Sequence, residues 1–260
     1  MRADVYLSAF GHTSSRKKAQ DLIDAGAVRI DGAVVKKASA VINEELPHTV
    51  EIEQIFKYVS RGGMKLEAAL DAFRINVNRM KAVDVGASTG GFTDCLLHRG
   101  AREVWAIDAG VGQLHPDLLA DDRVHSLEKF NARELDASVT DGVCDIAVAD
   151  VSFISQTYII PNVASVLAEG GIFVSLIKPQ FEAGKSALGK NGVVTNGAYR
   201  FLAAKRVIAF AVENGFDCIG LIRSPIDGGD GNREYLAYFV KKPCVKPLVD
   251  DKLIKRITAQ

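Results

Sequence analysis

The first part of the chain carries a helical pattern of apolar residues followed by two short apolar runs. The helical stripe consists of Ala19, Leu22 and Ile23. Ser14 or Ser15 can cap the start of this helix, and Gly26 can end it. The two runs then flank Asp31-Gly32, a dipeptide suited to a two-residue hairpin turn with positive φ. The pattern therefore predicts a small unit of one helix and one hairpin.

From residue 80 onward the pattern changes to short apolar runs that alternate with helical segments, and such runs predict buried strands. The runs read "KAVDVGAS", "REVWAIDAG", "CDIAVADVSF", "GGIFVSLIKP", "FDCIGLIRSP" and "EYLAYFVKK". Strands that alternate with helices form a parallel sheet covered on both faces, and ligands bind beyond the carboxyl ends of its strands. We therefore predict an α/β domain with its site at that edge.

Composition and charge limit the classes of partner. The chain has 260 residues, of which 48% are hydrophobic. This length allows one large domain, or one medium domain with a small companion. Lys plus Arg and Asp plus Glu both number 32, so the formal net charge is zero. No overall field attracts the chain to nucleic acid or anionic lipid, and such binding must come from a local patch.

The cysteines and the N-terminal pattern predict a cytoplasmic protein. Cys95, Cys144, Cys218 and Cys244 are far apart and form no CxxC pair, so we expect reduced thiols and no metal site. The N-terminus lacks the apolar core and cleavage site of a secretory signal. The longest uncharged run, residues 151–168, contains several polar residues and a proline, so no membrane span is expected.

Three cations stand where the dipole of the first predicted helix disfavours them. Arg16, Lys17 and Lys18 fall in its first turn, and the N-terminus of a helix is its positive end. Something negative should offset these charges. Since a helix start with exposed N–H groups and cationic side chains suits phosphate, RNA-backbone binding is favoured over a solvated charge run.

A glycine-rich turn follows the first strand of the sheet. In "VDVGASTGGF", Gly86, Gly90 and Gly91 let the backbone turn and approach a ligand. A dinucleotide site would need glycine in place of Ser88, and a P-loop would need Gly-Lys-Ser/Thr. An adenosine with an amino-acid tail fits better. Asp108, about twenty residues further on, can accept both hydroxyls of a ribose.

The N-terminal unit resembles S4-like RNA-binding domains. The resemblance covers residues 2–52 and rests on "SRKKAQDLIDAGAVRIDGAVVKKAS". In that family the helix start and the hairpin face structured RNA. The resemblance implies RNA contacts for Arg16, Lys17 and Lys37. Arg2, and Arg61 between the two predicted domains, are also expected to bind RNA.

The remainder resembles S-adenosylmethionine-dependent methyltransferases. Asn131 follows the third strand, where its amide could read an adenine edge or simply serve a turn. With the S4-like unit in front, the chain resembles the TlyA (hemolysin A) family, whose marks here are "RGGMKL", "DVGASTGGFTDCLL", "DVSFIS", "KPQFE" and "GNREYL". The resemblance implies S-adenosylmethionine as cofactor. Its expected binding residues are Asp84, Gly86, Ala87, Ser88, Thr89, Gly90, Gly91, Phe92, Asp108, Asn131 and Asp150.

That family is similar in its catalytic domain to FtsJ-type 2′-O-methyltransferases, which carry a Lys-Asp-Lys-Glu tetrad. The matching residues here are Lys65, Asp150, Lys178 and Glu234. A ribose hydroxyl is a poor nucleophile, so the site must withdraw its proton and align it with the methyl group. We expect Lys178 to act as the base, with Lys65 as the neighbouring cation that favours its neutral form and with both carboxylates orienting the lysines.

Two other methylation chemistries fit the sequence poorly. A base-amine methyltransferase is expected to carry an Asn/Asp-Pro-Pro-aromatic motif where this chain has "DVSF". A carbon-5 methyltransferase needs a nucleophilic cysteine at the site. Cys144 begins its strand instead of ending it, and Cys244 lies in the C-terminal segment.

The basic stretch at residues 184–192 can be a lid that touches RNA phosphate or a solvated connector.

We therefore predict a Rossmann-like α/β methyltransferase domain behind a small α+β RNA-binding domain. The expected bounds are 1–57 for the RNA-binding domain, 58–63 for the linker, 64–242 for the methyltransferase and 243–260 for a tail. The expected function is 2′-O-methylation of ribosomal RNA, with cytidine implied by the family, and the expected partners are ribosomal RNA and ribosomal subunits. A membrane-active cytolysin and a non-catalytic ribosome-binding factor remain as alternatives.

Overall fold

The structure is a computed structural model that describes residues 1–13, 15–52, 57–228, 231–242 and 248–259. The chain divides into two compact units, Met1–Ser60 and Arg61–Gln260. This division falls within residues 58–63, where we expected the linker. Gly62 and Gly63, which we expected in the linker, belong to the first turn of a helix.

The N-terminal unit contains two helices and a three-stranded antiparallel sheet of order β2-β1-β3. Its elements are α1 (Ala3–Ala9), α2 (Arg16–Asp24), β1 (Val28–Ile30), β2 (Ala33–Val34) and β3 (Val50–Ile52). The Ser15 side chain accepts a hydrogen bond from the backbone N–H of Lys18 and so caps α2. Asp31 and Gly32 have φ values of 52° and 78° and form the hairpin turn as predicted.

The sequence pattern did not predict helix α1, which supplies part of the core of this unit. Ala3, Tyr6 and Leu7 are buried at the spacing of one helical face. They belong to the same apolar cluster as Leu22 and Ile23 of α2. The first helix of the chain is therefore short but fixed by packing on α2.

The larger unit consists of a seven-stranded sheet and seven α-helices within its described residues. The helices are α3 (Gly62–Ala72), α4 (Gly91–His98), α5 (Pro116–Leu119), α6 (Ile160–Val166), α7 (Pro179–Glu182), α8 (Gly197–Glu213) and α9 (Asp251–Ala259). The strands are β4 (Lys81–Val85), β5 (Glu103–Ile107), β6 (Val124–Leu127), β7 (Cys144–Ala149), β8 (Leu167–Ile177), β9 (Phe216–Arg223) and β10 (Tyr235–Lys241). Their order is β6-β5-β4-β7-β8-β10-β9.

The sheet is mixed, and the prediction of a wholly parallel sheet was wrong for one strand. β10 lies between β8 and β9 and runs antiparallel to both. The connection from β9 to β10 spans only residues 224–234 and contains no helix. Since a parallel pairing requires a long crossover connection, the two strands form a hairpin instead.

The core of this unit lies on both faces of the sheet. All five residues of β4 are buried, and Phe173, Phe216 and Phe239 pack together on neighbouring strands. The C-terminal segment that we expected to be a tail contains α9, and its Ile254 belongs to the same core cluster. Within the described residues, none of the helices is long and apolar enough to cross a membrane.

Candidate active site

The glycine-rich turn between β4 and α4 brings bare backbone to the carboxyl edge of the sheet. Gly86 and Gly90 have φ values of 85° and 93°, which side chains rarely adopt. A Cβ at Gly86 would lie 3.0 Å from the carbonyl oxygen of Asp150. At Gly90 it would lie 2.2 Å from a methyl of Leu118. Glycine is therefore needed at both positions, because the turn packs closely on Asp150 and Leu118.

Asp84 lies fully buried beneath this turn. Its Oδ2 accepts hydrogen bonds from the backbone N–H and the hydroxyl of Thr93, at 2.9 and 2.7 Å. Oδ1 is buried and has no hydrogen-bond partner among the described residues. Desolvation, together with the charges of Asp150 and Asp108, raises the pKa of Asp84 to about 7, against the two bonds from Thr93. The carboxyl beneath the glycine turn thus carries an acceptor that the described residues leave unsatisfied.

Asp108 directly follows β5, and two backbone donors hold its carboxylate. Ser88 N donates to Oδ2 and Gly110 N donates to Oδ1, both at 2.7 Å. Each carboxylate oxygen has further lone pairs. The carboxylate is therefore fixed beside the glycine turn while it retains capacity for the two hydroxyls of a ribose.

Glu128 is a site residue that the sequence analysis missed. Its Oε1 accepts from the backbone N–H of Gly112 at 2.7 Å and of Gln113 at 3.3 Å. Gln113 in turn accepts a bond from the hydroxyl of Ser88. Glu128 thus supports the loop that follows Asp108, and only the fold brings the two segments together.

Asn131 serves a turn in this structure. Its Oδ1 accepts from the backbone N–H of Arg133 at 3.1 Å, which caps a short 3₁₀ helix, Ala132–Glu134. Its amide nitrogen donates to Glu134 at 3.4 Å. Recognition of an adenine by Asn131 stays a prediction.

The four tetrad residues form two ion pairs. Lys65 Nζ on α3 lies 2.5 Å from Glu234 Oε2, and both side chains are buried. Lys178 Nζ lies 2.6 Å from Asp150 Oδ1 and donates a hydrogen bond of 2.8 Å to the hydroxyl of Ser152. Asp150 Oδ1 has no hydrogen bond of good geometry among the described residues, so its contact with Lys178 is an ion pair alone.

Sheet register explains why the pairs share one edge. Tyr235 pairs with Ile177, so Glu234 and Lys178 are neighbours just beyond the ends of β10 and β8. Val85 pairs with Ala149, which places Asp150 beside the glycine turn. The antiparallel orientation of β10 is what lets the start of that strand meet the carboxyl end of β8.

Two further polar residues hold the loops around the tetrad. Glu182 is buried and accepts from the Ser155 hydroxyl at 2.6 Å and from Gln156 N at 2.7 Å; burial raises the pKa of its carboxyl. Asn232 is buried, accepts from Val194 N at 2.9 Å and donates to the carbonyl of Gly192. Both residues lie in the quoted motifs "KPQFE" and "GNREYL". Their contacts, however, depend on distant segments.

The residues predicted to bind RNA differ in what the structure shows of them. Arg2 and Arg16 both form ion pairs with Asp4, an intramolecular anion that the sequence analysis did not identify. Lys37 is exposed. The side chain of Lys17 lies outside the described residues. Arg61 immediately precedes α3 as its N-cap residue, and its RNA contact stays a prediction.

The basic stretch at residues 184–192 contains two short 3₁₀ helices, Lys185–Ala187 and Lys190–Gly192. Lys185 is exposed, and the side chain of Lys190 lies outside the described residues, as does Cys244. Among the residues that the structure describes, no group of three or more His, Cys, Asp or Glu could hold a metal ion.

Comparison with known families decides the relationship. The FtsJ-like methyltransferase family matches residues 58–241, and the S4 domain matches residues 1–45. The chain belongs to the FtsJ-like methyltransferase family. The expected fold class is thereby confirmed, with a mixed sheet in place of a parallel one.

Curated relatives narrow this membership to the TlyA group. Hemolysin A of Brachyspira hyodysenteriae is 42% identical over 241 residues, which are 92% of this chain and 100% of the relative. The 16S/23S rRNA (cytidine-2′-O)-methyltransferase TlyA of Mycobacterium tuberculosis is 41% identical over 237 residues, 91% of this chain and 88% of the relative. The resemblance inferred from the sequence motifs is confirmed.

A solved structure of similar sequence shares the whole architecture. A hemolysin from Streptococcus thermophilus superposes with a TM-score of 0.81 at 40% identity and covers 100% of this chain and 94% of that one. This FtsJ-like methyltransferase thus has relatives with two kinds of name, one for RNA methylation and one for haemolysis.

Proposed function

We propose that this protein transfers a methyl group from S-adenosylmethionine to the ribose 2′-oxygen of a cytidine in ribosomal RNA. The observation that carries the proposal is the meeting of two lysine–carboxylate pairs, Lys65 with Glu234 and Lys178 with Asp150, at the strand edge that also bears the glycine turn. The FtsJ-like family and the activity named for the Mycobacterium tuberculosis relative support it.

The residues at the sheet edge fit the cofactor. The positive φ of Gly86 and Gly90 makes a tight turn at this edge, and Asp108 retains acceptor capacity for two ribose hydroxyls. The unsatisfied, buried Oδ1 of Asp84 suits the positive amino-acid end of S-adenosylmethionine. When bound, this cofactor supplies a methyl group activated by a sulfonium.

Lys178 is the group proposed to take the proton of the ribose hydroxyl. Its Nζ is held from two sides by Asp150 and Ser152, which limits the directions from which a substrate oxygen can approach it. A base held in this way is oriented before the reaction, which lowers the entropic cost of reaching the transition state. The base must present a neutral amine at the moment of attack.

Lys65 and Glu234 have a supporting role in this proposal. The pair is buried, with Nζ and Oε2 2.5 Å apart, and the strand register places Glu234 beside Lys178. Glu234 prevents an uncompensated buried charge. Gly228 packs directly on this carboxylate, since a Cβ there would lie 2.6 Å from Oε1.

Recognition of the RNA is assigned to the N-terminal S4 unit. The S4 domain match covers residues 1–45, and this unit carries the exposed Lys37 and the half-exposed Arg2 and Arg16. Structured ribosomal RNA, as a free molecule or within a subunit, is the substrate class, and we place the activity in the cytoplasm.

The test is to map ribose methylation across total RNA with and without this protein, and then with purified subunits and cofactor. New 2′-O-methyl cytidines that depend on Lys178 are expected. Absence of any change at every site would overturn the proposal and favour a non-catalytic ribosome-binding factor. Leakage from liposomes treated with the purified protein would instead favour the cytolysin alternative.

A further inference from the structure

A buried carboxylate lies among the cations of the S4 unit. Asp4 on α1 has no solvent-exposed surface. Its Oδ1 accepts from Arg2 Nε at 2.9 Å, and its Oδ2 accepts from Arg2 Nη2 at 3.1 Å. Oδ2 also accepts from Arg16 Nε at 2.8 Å and from Gln20 Nε2 at 2.7 Å. Two arginines from distant positions in the sequence thus converge on one acid.

This acid is ionised at neutral pH. The hydrogen bond from Arg2, assisted by those from Gln20 and Arg16, holds the pKa of Asp4 well below its usual range, in spite of desolvation. One negative charge then faces two guanidinium groups. The cluster therefore keeps a net positive charge, although its acid is buried.

The two guanidinium groups retain donors for a ligand. The Arg2 and Arg16 side chains are 46% and 55% exposed. A guanidinium has five N–H donors. Arg16 gives only Nε to Asp4, and among the described residues its two Nη groups and the Nη1 of Arg2 have no hydrogen-bond partner. The remaining donors are the ones that bind phosphate in pairs.

We propose that Asp4 is a positioning residue for RNA: it fixes Arg2 and Arg16 side by side so that their outward N–H groups bind neighbouring phosphates of the RNA backbone. The proposal rests on the RNA-binding role of the S4 unit in the proposed function. It adds a residue that itself never contacts RNA.

The arrangement is better suited to recognition than to stability. Replacing a buried ion pair by apolar residues is often neutral or stabilising, so stability alone does not call for an acid at this position. A free arginine loses rotamer freedom when it binds phosphate. Asp4 removes part of that freedom in advance, which raises affinity without adding a contact.

The experiment compares RNA binding by full-length Asp4→Asn and Asp24→Asn proteins across a salt series, with a ribosomal RNA fragment as probe. Each substitution removes one negative charge and so raises the net charge of the protein by one. Asp24 is exposed at the end of α2. Asp24→Asn should bind as well as the native protein or slightly better. Asp4→Asn should bind about 10-fold more weakly, and the slope of log affinity against log salt should become shallower by about one.

A double-mutant cycle separates positioning from a structural role. In the Arg2→Ala, Arg16→Ala background, adding Asp4→Asn should change RNA affinity less than twofold, because the groups it positions are gone. A further loss as large as in the native background would overturn the proposal. If the Arg2→Ala, Arg16→Ala variant binds RNA as tightly as the native protein, these arginines do not bind RNA. The part of the proposed function that assigns RNA recognition to them is then wrong.

Arg16→Lys covers the case in which Asp4→Asn does not fold. Lysine keeps the charge and leaves Asp4 paired with Arg2, but it lacks the planar fork that bonds Asp4 and phosphate together. RNA affinity should fall as far as in Arg16→Ala. Affinity close to native would show that charge alone matters, and Asp4 would then have no positioning role.

Discussion

The substitution Asp84→Asn tests whether the buried carboxyl beneath the glycine turn ionises, with almost no change in the shape of the side chain. The asparagine oxygen can replace Oδ2 and accept both bonds from Thr93, and the amide nitrogen takes the place of the unsatisfied Oδ1. The variant removes only the ability to ionise. Any pH dependence that disappears with the substitution therefore belongs to Asp84.

The magnitude follows from the shifted pKa. The folded protein holds the Asp84 proton up to about pH 7, whereas an unfolded chain loses it near the ordinary value of 3.8. Over this interval the folded state binds more protons, so the free energy of unfolding falls as pH rises, by about 1.4 kcal/mol per unit. Between pH 5 and pH 8 the native protein should lose about 2.5 kcal/mol relative to Asp84→Asn.

The assay uses the single tryptophan. Trp105 is the only one in the sequence, and it lies on β5 opposite Val83 of β4, the strand that carries Asp84. Urea unfolding followed by its fluorescence therefore reports on the catalytic unit and not on the S4 unit. Native and Asp84→Asn proteins are compared at each pH, which cancels the other titrating groups.

A constant stability difference between the two proteins from pH 5 to pH 8 would refute the reasoning. It would mean that water or a structural adjustment reaches Oδ1 and keeps the carboxyl near its ordinary pKa. A difference that goes on changing by about 1.4 kcal/mol per pH unit above pH 7 would indicate a still higher pKa in the folded state.

Three further substitutions test the active site. Lys178→Arg should lower single-turnover methyl transfer about 100-fold with cofactor affinity kept, because arginine cannot release its proton; a near-native rate would exclude the general base. Asp108→Ala should weaken S-adenosylmethionine binding by about 1.5–3 kcal/mol in calorimetry, and unchanged affinity would place the ribose elsewhere. Gly228→Ala puts a Cβ 2.6 Å from Glu234 Oε1, so methyl transfer should fall about 10-fold without loss of cofactor affinity; native activity would show that the Lys65–Glu234 pair is not needed.

Local patterns in the sequence were sufficient to predict several elements of both units. The Asp31-Gly32 turn, the cap at Ser15 and the buried strand β4 follow from short-range preferences that tertiary contacts do not override. The motifs also selected the four tetrad residues, since motif residues at strand ends meet at one edge of an α/β sheet. The family can therefore be inferred from the sequence alone.

The direction of β10 and the pairing of the tetrad required the fold. An apolar run such as "EYLAYFVKK" is compatible with either strand direction, and only the short, helix-free connection from β9 makes it antiparallel. That orientation brings Glu234 next to Lys178, while α3 delivers Lys65 to Glu234.

Asp4 shows the same division between local pattern and tertiary structure. The sequence by itself determined that the cations at the start of α2 need a negative partner, because the helix dipole opposes them. It did not determine that part of this partner is Asp4, since the acid is twelve residues from Arg16 and reaches it only through the packing of α1 on α2. Element type depends on neighbours in sequence, whereas charge pairing depends on neighbours in space, and these are set by the burial of apolar faces.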